Sequence, residues 1–218
     1  MRKFEDTYRH KGLRKQLVDL LRKKGISDER LLDAMYHVPR HFFLDSGFDK
    51  IAYEDKAFPI AEGQTISQPY TVAYQTELLG VKPHDKILEI GTGSGYQSIV
   101  LAQMGAQVFT IERQKKLFDE HRNFILRNKY PNIKYFFGDG YDGLPTYAPF
   151  DKIVVTAAAP FIPPKLVEQL KPDGNMVIPV GEGTVQRMLR LTIEEDGNIK
   201  EEVFDNFSFV PMVEGRNS

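Results

Sequence analysis

The chain has 218 residues, 41% of them hydrophobic, with 29 basic against 30 acidic side chains, 17 Gly, 13 Pro and no Cys or Trp. A chain of this size buries roughly 70% of its unfolded surface, so one globular domain is expected without disulfides or structural metal. The absence of cysteine excludes zinc ribbons, redox pairs and thiolate nucleophiles, and a net charge of −1 disfavours bulk nucleic-acid binding.

The first residues, Met1-Arg2-Lys3-Phe4-Glu5-Asp6, carry no apolar signal region, and no run approaches about 18 apolar residues. The reading is a cytoplasmic, monomeric protein without membrane attachment. Residues 10 to 24 put Leu13, Leu17, Leu20 and Leu21 on one helical face, and Gly25 stops the helix. Ser27 is the expected N-cap of a second helix that carries Leu31, Leu32, Met35 and Tyr36 and ends at Pro39. Pro39 also separates His37 from His41, so their four-residue spacing does not make a helical metal site, and no metal is expected. His10, His84 and His121 read as surface residues, and Phe42-Phe43 and Tyr135-Phe136-Phe137 as core. Residues 39 to 65 hold turn formers without a clean period. Pro69 then opens a helix that Gly80 ends.

Beyond it, short apolar runs (86–90, 107–111, 133–137, 152–156, 175–180) alternate with helix candidates at 95–104, 114–128 and 163–170. Strand and helix alternating in this way predict an α/β, doubly wound, mostly parallel sheet. Residues 187–193 and 199–210 flank Asp196-Gly197-Asn198, a hairpin signal, so the sheet is expected to end antiparallel. One domain over 1–218 is expected, with residues 1–80 as an N-terminal helical extension and 81–218 as the α/β core.

Ile87-Leu88-Glu89-Ile90-Gly91-Thr92-Gly93-Ser94-Gly95-Tyr96 is a strand running into a glycine turn that opens a helix. Ligands of doubly wound sheets bind at the carboxyl ends of the strands, where glycine lets backbone come close. A dinucleotide fingerprint needs G-x-G-x-x-G, but here the third glycine comes one residue early. Glu89 beside the turn disfavours a diphosphate and suits a cationic ligand with an amine and a sulfonium, which describes S-adenosylmethionine. Glu112, closing the next strand, is positioned by sequence to accept ribose hydroxyls. Asp139, in Gly138-Asp139-Gly140, can accept from an adenine amino group while a neighbouring N–H reaches the ring. Singly, an Asp-Gly pair is an ordinary turn; three acids after three successive strands form a coherent site.

Gly63-Gln64-Thr65-Ile66-Ser67-Gln68-Pro69 sets hydroxyls and amides before a helix with free first-turn N–H groups, an arrangement suited to a carboxylate. The plainer alternative is that Ser67 caps the helix.

Gly63 to Pro69, Leu88 to Gly95, Gly138-Asp139-Gly140, Thr156-Ala157-Ala158, Pro179-Val180-Gly181 and Phe209-Val210-Pro211 together resemble the protein-L-isoaspartate (D-aspartate) O-methyltransferase family. The similarity runs from about residue 30 onward. It implies a Rossmann-like methyltransferase fold, S-adenosyl-L-methionine as cofactor, and methylation of the free α-carboxyl of L-isoaspartyl residues in damaged proteins and peptides, followed by collapse to a succinimide. Carried over, Ser67 is the active-site hydroxyl. Thr65, Ile66, Glu89, Gly91, Gly93, Glu112, Asp139 and Gly140 bind cofactor, while Ile66, Ser67, Val210 and Pro211 face the substrate. Val213 and the short end Glu214 to Ser218 depart from the longer polar tail of some relatives. A main-chain pairing of the substrate beside Ile66 and Val210 would ignore side-chain identity. The alternatives are a methyltransferase acting on a small molecule or RNA, and a binding protein without turnover.

Overall fold

The structure is a computed structural model that describes residues 4–122 and 124–217. α1 (Tyr8–Lys23) starts where Thr7 and His10 form a reciprocal capping box. α2 (Glu29–His37) is capped by Asp28, not Ser27, because the Ser27 backbone N–H and hydroxyl both donate to Glu77. The stretch after Pro39 contains single helical turns at Arg40–Phe43 and Ser46–Phe48. A small antiparallel hairpin follows, β1 (Phe58–Pro59) with β2 (Thr65–Ile66). α3 (Pro69–Leu79) then closes on Gly80 in the left-handed region.

The α/β unit runs β3 (Lys86–Ile90), α4 (Tyr96–Gln103), β4 (Gln107–Glu112), α5 (Lys115–Arg122), β5 (Ile133–Phe137), β6 (Phe150–Val155), α6 (Pro164–Val167), β7 (Leu170–Val180), β8 (Gln186–Ile193) and β9 (Ile199–Phe207). The sheet order is β5-β4-β3-β6-β7-β8-β9. The first five strands pair in parallel, and β8 and β9 join antiparallel. The chain steps outward from β3 to β5 and then returns to β6 on the other side of β3, which makes the β3–β6 boundary the switch point.

Three expected boundaries differ most. The helix expected over 114–128 is α5, whose last turn leaves the His121 carbonyl to Phe124 N–H and the Arg127 guanidinium. The helix expected over 163–170 is one turn, since Gln169 already pairs with Phe150 at the start of the sheet register. β7 begins at Leu170 rather than Asn175, with an irregularity opposite Phe150 and Lys152.

Alternation along the strands splits the core in two. Ile87, Val108, Val154, Val177 and Met188 face one side and share a cluster with Leu21, Leu31 and Leu32 of the N-terminal helices. Leu88, Phe109, Ile153, Met176 and Leu189 face the other. Phe42 and Phe43 are buried, as expected for core. His84 is exposed, but His10 and His121 are buried, contrary to the surface reading. The charged sequence around them conceals stacked partners. His10 stacks on His41 at 3.9 Å, and His121 stacks on Tyr135 at 5.4 Å.

Candidate active site

A cleft opens at the carboxyl ends of β3, β4 and β6, over the switch point. Its floor is the glycine turn. Gly91, Gly93 and Gly95 all have positive φ, and a Cβ on Gly91 would lie 2.7 Å from Thr156 Oγ1. Only glycine fits there, because Thr156, at the end of β6, donates to the carbonyls of Ile90 (2.9 Å) and Gly91 (2.8 Å). Gly140 forms the wall after β5, where a Cβ would meet Ile90 Cγ2 at 2.6 Å. Backbone therefore lines much of the cleft.

Glu112 lines the same cleft at the end of β4. Its carboxylate accepts from Gly93 N–H and Gln114 N–H, each at 2.9 Å, and burial pushes its pKa up while these N–H groups pull it down. His121 grips the other side of the same glycine, with Nε2 2.9 Å from the Gly93 carbonyl, so Nε2 carries the proton. Burial lowers the His121 pKa to about 4, which keeps the ring neutral.

Glu89 and Asp139 do not line the cleft. Glu89 shares its sheet face with Ile87 and Val154, so its side chain points under α4, where it is fully buried and accepts from the Ser98 hydroxyl. Burial raises its pKa to about 7. Asp139 accepts from Tyr141 N–H at 2.9 Å and from Gly215 N–H at 2.6 Å, and so holds the C-terminal segment.

The Thr65–Pro69 run closes the cleft from the N-terminal side. Thr65, Ile66 and Ser67 line it opposite the glycine turn, with Ile66 buried and Ser67 half-buried. Ser67 does not cap α3. Asp55 does so from a distance, accepting Tyr70 N–H at 2.8 Å, and Pro69 has no N–H, so the expected set of free first-turn donors is largely used. The Ser67 hydroxyl has no side-chain hydrogen bond among the described residues and faces a second cavity as well, shared with Thr65, Thr156 and Val210. The β1–β2 turn is tied down by an ion pair between Glu62 and Lys116 of α5, 3.1 Å.

Val210, Pro211, Met212 and Val213 complete the rim. Ala158 N–H donates to the Val210 carbonyl at 2.8 Å, and Met212 N–H to the Ala158 carbonyl at 2.7 Å. With Ile66 already paired to Phe58, a main-chain substrate contact has only the remaining edge of each segment. Sequence reasoning missed Arg113, Gln114, Thr156 and the tail residues Met212 and Val213. Thr156 was within reach of it, since it ends the strand beside the switch point. Arg113 and Gln114 directly follow Glu112 and hold Gly215 and Asn217.

A mostly parallel sheet with a backbone-lined cleft at its switch point and a carboxylate, Glu112, at the end of the strand beside it defines a class, the Rossmann-like methyltransferases. The profile of the Protein-L-isoaspartate(D-aspartate) O-methyltransferase (PCMT) family matches residues 12–217. The chain belongs to this family. Relatives named protein-L-isoaspartate O-methyltransferase include one from Christiangramia forsetii, 52% identical over 98% of this chain and 100% of that one. Another, from Flavobacterium johnsoniae, is 54% identical over the same shares. Among solved structures, a protein-L-isoaspartate O-methyltransferase superposes with a TM-score of 0.82 at 27% identity, covering 91% of this chain and 65% of that longer one. A Plasmodium falciparum beta-aspartate methyltransferase in complex with S-adenosyl-L-homocysteine gives 0.78 at 28% identity, covering 92% and 98%. No helix among the described residues is long and apolar enough to cross a membrane.

Proposed function

We propose that this chain transfers a methyl group from S-adenosyl-L-methionine to the free α-carboxylate of L-isoaspartyl residues in damaged proteins and peptides. The observation that carries this reading is the Ser67 hydroxyl, unengaged by other side chains among the described residues and lining both the cofactor cleft and the adjoining acceptor groove. The cleft suits the cofactor. Glycine backbone at Gly91, Gly93 and Gly140 lets a nucleoside approach closely, and Glu112 offers acceptors to ribose hydroxyls. Among the described residues, its wall has no lysine for a diphosphate. Glu89 and Asp139 act indirectly on this reading, Glu89 from beneath the glycine turn and Asp139 through the tail. When bound, S-adenosylmethionine supplies an electrophilic methyl on its sulfonium.

The acceptor carboxylate is ionised near pH 7, so no strong general base is needed, and none of the described residues lining the groove is one. The chain's task is to orient. Ser67 and its neighbours hold the carboxylate oxygen in line, and alignment of this kind is worth about 7 to 11 kcal/mol of barrier. Ile66 and Val210 exclude water beside it. The following backbone nitrogen then attacks the ester carbonyl and gives up its proton as methanol leaves, forming a succinimide that hydrolyses in part to normal aspartate. The same reading has the enzyme act as a monomer in the cytoplasm. The acidic edge strand β9, with Glu201, Glu202 and Asp205, opposes self-pairing of the sheet. Product analysis tests the reaction. An isoaspartyl peptide incubated with enzyme and cofactor is expected to yield succinimide and then aspartyl peptide; a stable methylated product elsewhere on the peptide would overturn the assignment.

A further inference from the structure

Arg40 is fully buried, yet no carboxylate pairs with it among the described residues. Its Nε donates to the Ala52 carbonyl at 3.1 Å, and Nη2 donates to the carbonyls of Lys56 at 3.3 Å and Ser67 at 2.8 Å. The guanidinium carbon lies 4.9 Å from the centre of the Tyr96 ring, and Nη1 has no hydrogen-bond partner among the described residues. The acid nearest in effect, Asp55, is already engaged by Lys24 Nζ at 2.6 Å, by the Gln68 side chain and by Tyr70 N–H. Burial lowers the Arg40 pKa to about 10, which leaves it charged at neutral pH.

An unpaired buried cation is costly, and proteins usually supply a carboxylate or replace the charge with an apolar side chain. Here the charge is kept directly behind Ser67. Among the described residues, the acceptor groove on the other side of Ser67 has no charged side chain on its wall, only groups such as Gln68, Thr71 and Asn206. Arg113, the one cation among the described residues lining the cofactor cleft, is turned to the Gly215 carbonyl at 2.9 Å.

We propose that Arg40 is a positioning and specificity residue: it fixes the Ser67 main chain, and its uncompensated charge makes the acceptor site select an ionised carboxylate over a neutral group of the same shape. The low-dielectric surroundings carry that field to the groove. The inference rests on the acceptor role of Ser67 given above.

The test compares an isoaspartyl peptide with the matching peptide whose α-carboxylate is a carboxamide, both as ligands of the full chain with S-adenosylhomocysteine present. The wild type is expected to prefer the carboxylate. Arg40→Gln lowers that preference by about tenfold, with cofactor affinity and carboxamide affinity changed by less than about twofold, while Arg40→Lys, which keeps the charge, retains most of it. Equal weakening of both peptides by Arg40→Gln marks a merely structural role and overturns the proposal. Unchanged preference overturns it too. A second measurement needs no substitution. The carboxyl pKa of a labelled isoaspartyl peptide, followed by NMR, falls by about one unit on binding to the wild type, and an unshifted or raised value contradicts the proposal even when the variants do not fold. Failure of the wild type to bind or methylate the isoaspartyl peptide removes the function itself. Binding and turnover without charge selection remove only the role of Arg40.

Discussion

Ser67 and Glu89 show how far single residues can be read. The Thr65-Ile66-Ser67-Gln68-Pro69 run announced a polar site, but two roles for Ser67 were compatible with it. The choice falls against capping because Asp55, fourteen residues before Pro69 in the chain, supplies the cap. Ser67→Ala is expected to lower kcat about tenfold, the worth of one hydrogen bond made in the transition state, with S-adenosylmethionine affinity by calorimetry unchanged. Equal loss of both contradicts the acceptor role. Glu89 was legible as an acid beside the glycine turn, whereas its direction depends on strand register with Val154. Its pKa is raised to about 7, so its folded form holds the proton more tightly than the unfolded form does. Stability is then complete below the ordinary carboxylate range and lost as pH rises toward about 7, a loss on the order of 3 kcal/mol. Glu89→Gln removes this loss. Its melting temperature relative to wild type is expected to climb between about pH 5 and pH 8, and a flat difference would show the carboxyl to be ionised throughout.

At the scale of elements, the parallel strands between residues 86 and 180 could be read from pattern alone, because each is a short apolar run, while helices follow only some of them and two are shorter than their pattern. The pieces that close the site could not. β1 and β2 have two residues each, too short for any period, and only the structure shows that Phe58 and Ile66 pair. The tail looked uninformative, yet Asp139, Arg113 and Gln114 all hold it, and Val213 lies on the cleft. Deleting residues 213–218 is expected to weaken S-adenosylmethionine binding about tenfold while lowering the melting temperature little. Asp139→Ala, which releases Gly215, should move affinity in the same direction. Full affinity in the truncated chain would mean that the tail is a bystander.

For the whole molecule, the near-neutral charge and the absence of cysteine narrowed the field, and the alternation of strands and helices decided the sheet. The order of β8 and β9 needed the structure, since a hairpin can lie either way at a sheet edge. What unites the scales is one cleft to which the N-terminal hairpin, the switch point and the C-terminal tail all contribute walls. An enzyme that meets damaged sites in arbitrary proteins has little use for a strong surface field of either sign, and the net charge of −1 suits that task. The most direct test is transfer of tritium from methyl-labelled S-adenosylmethionine to an isoaspartyl peptide, beside the same peptide with normal aspartate. Labelling of the isoaspartyl peptide alone, in a base-labile form, is the predicted result; equal labelling of both peptides, or of neither, would contradict the assigned function.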